Sequence, residues 1–72
     1  MNANKTVIIT TPYITLGQLL KLVNLIGNGG EAKMYLATNM VKVNGEEDRR
    51  RGRKLYPGDV VEAGGKMFAI AA

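Results

Sequence analysis

Residues Gly29–Gly45, GGEAKMYLATNMVKVNG, decide how this chain folds. They predict a short helix, a stop, a strand and a two-residue turn. Ala32, Tyr35, Leu36 and Met40 recur at helical spacing and give the segment one apolar face. Glu31 falls in the first turn, where the helix dipole favours a carboxylate. Asn39 stands where the helix must end, and its tolerance of the left-handed region suits it to be the stop. Met40-Val41-Lys42-Val43 alternates like a half-buried strand. Asn44-Gly45 is the strongest short hairpin signal, because both residues accept the positive φ of a type I′ turn.

Working outward toward the N-terminus, Gly27-Asn28-Gly29-Gly30 is expected to end a preceding helix and connect it to this one. That helix has a marked start: Thr15 as N-cap and Gln18 three residues on form a capping box. Leu16, Leu19, Leu20, Val23 and Ile26 then make its apolar stripe, widened by Leu22 and Leu25. Thr6 to Thr10 is rich in β-branched residues and reads as a strand that Pro12 must stop or confine to an edge. Met1 to Lys5 is polar and expected to fray. Toward the C-terminus, Tyr56-Pro57-Gly58-Asp59 is a turn, Val60-Val61 a strand, Gly64-Gly65 a hairpin turn and Met67 to Ile70 a last strand. Two helices followed by short strands predict an α+β fold, in which residues 1–14 and 63–72 supply terminal strands.

Seventy-two residues form one domain with a small core, and no Cys reinforces it. The short apolar run Val7-Ile8-Ile9 is too brief for a signal peptide or a membrane span, so a cytoplasmic protein is expected. No linker, repeat or low-complexity tract divides the chain. Catalysis has few candidates, since His and Cys are both absent. Glu46-Glu47-Asp48 alternates faces along a strand and has no second ligand cluster, so a solvated hairpin arm is favoured over a metal site. Neither a metal nor another cofactor is expected, nor is an enzyme.

The net charge of +4 points to a polyanionic partner, and its distribution says more. Five of the ten basic residues, Arg49, Arg50, Arg51, Arg53 and Lys54, fall within six positions that contain no acid. Guanidinium forks match phosphate oxygens and stack on bases, so the block is a candidate nucleic-acid contact; the competing reading is a solvated strand. Acids at Glu46-Glu47-Asp48 are placed to neutralise part of it. A second candidate is the connection Asn28-Gly29-Gly30, where free N–H groups at a helix start could meet a phosphate, against a purely structural turn. Tyr35 and Tyr56 are expected half-buried in the core, with base stacking as the alternative.

The pattern Ala32…Leu36…Asn39-x-Val41-x-Val43-Asn44-Gly45, followed by Pro57-Gly58-Asp59-x-Val61, resembles the S4 RNA-binding domain. The resemblance runs from about Leu16 to Glu62 and is nearest to the small stand-alone S4-like proteins of bacteria. It implies a two-helix S4-like (αL) motif packed on a small, mainly antiparallel sheet of short strands. It also implies a non-catalytic protein that binds structured RNA, ribosomal RNA or its precursors, and so meets ribosomal particles. S4 domains typically carry a Ser-Arg pair where this chain has Asn28-Gly29, which shifts weight to Lys33, Lys42 and the arginine block. An adaptor of the same fold, whose basic face meets an acidic protein, is the alternative; a duplex-DNA binder would want a recognition helix this chain lacks.

Overall fold

A computed structural model of the chain describes residues 4–72; of the stretch Met1 to Lys5 expected to fray, residues 1–3 lie outside the described residues, whereas Asn4 and Lys5 belong to a strand held by its pairing with the last one. In order come β1 (Asn4–Ile8), β2 (Ile14–Thr15), α1 (Leu16–Leu22), a single 3₁₀ turn (Gly29–Glu31), α2 (Ala32–Thr38), β3 (Lys42–Val43), β4 (Glu46–Glu47), β5 (Lys54–Leu55), β6 (Val60–Ala63) and β7 (Lys66–Ala71). Five strands make one sheet in the order β1-β7-β6-β3-β4, and β2 pairs with β5 in a separate ribbon. The fold is α+β, as the sequence predicts.

The sheet is antiparallel except at one seam. β1 lies parallel to β7, with Asn4 opposite Met67 and Ile8 opposite Ala71, so the two chain ends run side by side. Parallel strands need a long crossover, and here both helices and the central hairpins supply it. Phe68, Ile70, Val61, Ala63 and Val43 point to one face of the sheet, where Leu16, Leu19, Leu20, Ala32 and Leu36 of the two helices cover them.

Thr15 and Gln18 form the expected capping box, each side chain meeting the other's backbone N–H. The first helix ends sooner than its apolar stripe suggests. Asn24 takes a left-handed φ of 62°, Asn24 N–H donates to the Lys21 carbonyl and Leu25 N–H to the Leu20 carbonyl. That is a Schellman stop with Asn in place of Gly. Val23, Leu25 and Ile26 still pack on the core, but from the connection and not from the helix.

The second helix ends at Asn39 by a different route from the one expected. Asn39 is extended (φ −127°), and both its N–H and its side-chain amide donate to the Tyr35 carbonyl. The extended residue changes the phase of the chain. Met40 therefore leaves the helical face and is 60% exposed, while Val41 takes the buried place.

Asn44 and Gly45 have φ of 52° and 87°, the two-residue turn predicted for them, and join Val43 to its partner Glu46. Asn44 does more than turn the chain. Its side-chain oxygen accepts the Val60 N–H and its amide donates to Asp59, whose other oxygen accepts the Tyr56 N–H. The Val-Asn-Gly and Pro-Gly-Asp pieces are thus one hydrogen-bonded joint between two hairpins. Changing Gly45 to Val should lower stability by about 1–3 kcal/mol, because a β-branched residue resists positive φ. A urea midpoint equal to that of the parent protein would contradict this role.

Candidate nucleic-acid interface

The arginine block is not a strand but a loop, Asp48–Arg53, held down at both levels of its structure. Its backbone is docked on the start of α1. Leu16 N–H donates to the Arg53 carbonyl and Gly17 N–H to the Arg51 carbonyl, at 2.8 and 2.9 Å. These are N–H groups that a helix start leaves without internal partners. Gly17 eases this approach: a Cβ there would lie a tight 3.3 Å from the Arg51 carbonyl oxygen and 3.4 Å from Ala32 Cβ. The entropic cost of a helical Gly is offset by that docking.

Side chains hold the loop from within. Asp48 is 8% exposed and accepts from Arg50 N–H, Arg50 Nε, Arg50 Nη2 and Arg53 Nη1, all within 3.1 Å. Arg49 pairs with Glu47 at 3.0 Å. The block therefore repels itself less than its sequence suggests, since its acids sit immediately before it and fold back. Among the described residues, Arg51 and Lys54 form no ion pair, and both are exposed.

Hydrogen bonds from the Arg50 guanidinium, ahead of the opposing effect of burial, hold the Asp48 carboxyl well below the usual carboxylate range. Its folded value lies below its unfolded one, so Asp48 contributes stability that is complete above the unfolded value of about 3.9 and lost as pH falls through the folded one. The stability gap between the parent protein and Asp48→Asn should accordingly be constant near neutral pH and narrow progressively in acid below about pH 4. A gap independent of pH would mean that Asp48 acts by shape alone.

The ribbon β2–β5 adds an aromatic element. Ile14 lies opposite Leu55 and Thr15 opposite Lys54, with Ile14 and Leu55 buried. Alternation then puts Tyr13, Thr15, Lys54 and Tyr56 on the outer face. The Tyr13 and Tyr56 rings are 5.7 Å apart, and Lys54 Nζ is 5.0 Å from the Tyr13 ring centre. Tyr56 is 48% exposed and so is not in the core, whereas Tyr35 is half-buried against it as expected. Tyr13 was not singled out by the sequence; the signal was the alternation Tyr13-Ile14-Thr15 against Lys54-Leu55-Tyr56.

A groove of about 440 Å³ brings Gly29 together with Gln18, Lys21, Arg51 and Gly52. The interhelical connection and the arginine loop, more than twenty residues apart in sequence, are thus neighbours. Three of the four N–H groups of that connection are already engaged, however. Glu31 Oε1 accepts from Gly27 and Asn28, and Asn28 Oδ1 accepts from Gly30. A carboxylate of the chain itself takes two of these N–H groups, because Glu31 lies one turn on and can reach back. Gly29 lines the groove, Asn28 and Gly30 flank it in sequence without lining it, and Lys33 is exposed on α2. Lys42 stands apart: it lies on β3 between its cross-strand neighbours Glu47 and Glu62, on the outer face of the sheet.

Comparison with known proteins agrees with this architecture. The S4 domain family matches residues 7–71. The Bacillus subtilis (strain 168) protein named "Probable ribosome maturation protein RlbA" is 60% identical over 57 residues, covering 79% of this chain and 80% of that one. The Escherichia coli (strain K12) protein named "Putative RNA-binding protein YbcJ" is 33% identical over 61 residues, covering 85% and 87%. Two helices on a mixed sheet, joined through Val-Asn-Gly and Pro-Gly-Asp, and a family match across nearly every described residue lead to one conclusion: the chain belongs to the S4 domain family.

Proposed function

We propose that this chain is a cytoplasmic, non-catalytic RNA-binding protein that recognises structured RNA, ribosomal RNA or its precursors, through phosphate and shape contacts. The observation that carries this reading is that Lys21 of α1 and Arg51 of the loop line one groove, with Lys54 beside it opposite the N-cap Thr15, while Arg50 and Arg53 are already fixed by Asp48. A prearranged loop loses little entropy on binding, so its cations can engage phosphates at small cost. Few side chains here form the paired donors and acceptors that would read base edges in a duplex. Family membership and the names borne by the two relatives support RNA as the polyanion, and ribosome maturation as the setting.

Gel-shift titration with a folded ribosomal RNA fragment, with duplex DNA as competitor, tests the proposal. The RNA complex should resist excess duplex and vanish on RNase treatment. Displacement by equimolar duplex would sink the RNA reading. A cellular complex that survives RNase would instead favour the protein adaptor.

A further inference from the structure

We infer that Tyr13 is a stacking platform for one unpaired nucleotide of the bound RNA; this rests on the RNA-binding reading and deepens it. The ring stands between two grooves. On one side it lines a cleft of about 840 Å³ with Pro12, Gln18, Lys21 and Leu22. On the other, Lys54 and Tyr56 line a second cleft with Arg50, Gly52 and Arg53. The first cleft is within the size range of ligand-binding clefts and takes a nucleotide with room for its ribose and phosphate.

Its chemistry matches an unstacked base and not another apolar side chain alone. Pro12, the Tyr13 ring and Leu22, which is 59% exposed, offer flat apolar surface. Gln18 offers amide donors to a base edge, and Lys21 a cation to the adjoining phosphate. The Gln18 oxygen is held by the Thr15 N–H, which leaves its amide protons for the ligand.

The platform is prearranged. Thr11 Oγ1 donates to the Tyr13 carbonyl at 2.8 Å, and the paired ribbon fixes Ile14 and Thr15 immediately after it. Lys54 Nζ over the ring draws on its π-electrons and adds a cation to the platform. Charge complementarity also extends along the surface, since Thr15, Gln18 and Lys21 belong both to this cleft and to the groove that holds Arg51. Single-stranded and bulged nucleotides are recognised by this combination of aromatic face and flanking cations.

The test uses two RNA hairpins of identical stem, one carrying a single bulged 2-aminopurine and one fully paired. The parent protein should bind the bulged hairpin at least about tenfold more tightly, and 2-aminopurine fluorescence should fall on saturation as the base stacks. Tyr13→Leu should erase that preference, so that the bulged and paired hairpins bind alike, while Tyr13→Phe should keep it. Unquenched fluorescence in the parent complex, or equal binding of both hairpins, would overturn the platform and leave the RNA-binding reading intact. Binding of neither hairpin, nor of the ribosomal fragment, would overturn both. The fluorescence readout needs no variant, so it decides even if Tyr13→Leu folds poorly.

Discussion

Asp48→Ala is expected to lower stability by about 2–3 kcal/mol and to weaken RNA binding, although it makes the protein more positive. The side chain is buried and accepts four hydrogen bonds from two arginines and one backbone N–H. Arg50 is 72% exposed, so its guanidinium regains water and the loss of that ion pair alone is small. Most of the effect comes from the loop, whose backbone geometry Asp48 fixes. Hydrogen bonds to a charged acceptor contribute about 1.5–3 kcal/mol where they are sheltered. In so small a domain this is a large share of the total stability.

For binding, two effects oppose each other. Removing one acid adds attraction worth about one counterion, a change of less than tenfold at 0.1 M salt. Losing the fixed loop means that several residues must be ordered on binding, at roughly 1–2 kcal/mol each. The ordering cost wins, and affinity should fall at least tenfold even under conditions where the variant is folded. Calorimetric unfolding and a titration with the ribosomal fragment check the two halves separately. Tighter binding by Asp48→Ala would mean that charge density, and not loop shape, governs recognition.

Local chemistry made much of this fold legible. The Thr15–Gln18 capping box and the Asn44-Gly45, Pro57-Gly58 and Gly64-Gly65 turns depend on residues within a few positions of one another, and all lie where the sequence puts them. What escaped reading were the pairings that cross the chain. Nothing local in Asn4–Ile8 tells that it lies parallel to β7, since its partners are more than sixty residues away. Asp48 looks like the third acid of an exposed arm until the loop closes over it. Glu31 reads as a favourable helix-start charge, and only the bend at Gly27-Asn28 shows that it accepts from two N–H groups of the connection before it. Within the basic block, sequence gives the number of cations but not their division. Three are paired with acids and two carry no such pair.

That division has a measurable consequence. Arg51→Gln combined with Lys54→Gln should weaken binding of every structured RNA by about 25- to 60-fold at 0.1 M salt, and flatten the plot of log K against log salt by about 1.4–1.8. Each phosphate contact on RNA contributes about 0.7–0.9 to that slope, and the pair supplies two. The uniform effect follows because phosphate contacts position the RNA without reading its sequence. Stability should change by less than about 0.5 kcal/mol, since both side chains are exposed and Arg51 holds the loop through its backbone carbonyl. Arg50→Gln with Arg53→Gln should do the reverse. Asp48 would then lie buried without its cations, so the fold should lose more stability than in the first pair, and the salt slope should change less. Measuring both pairs with one ribosomal fragment at several salt concentrations separates the roles. Identical slopes for the parent and the Arg51/Lys54 variant would place the phosphates elsewhere on the surface. An equal fall in slope for both pairs would mean that the ion pairs with Asp48 open when RNA binds, turning all four cations outward.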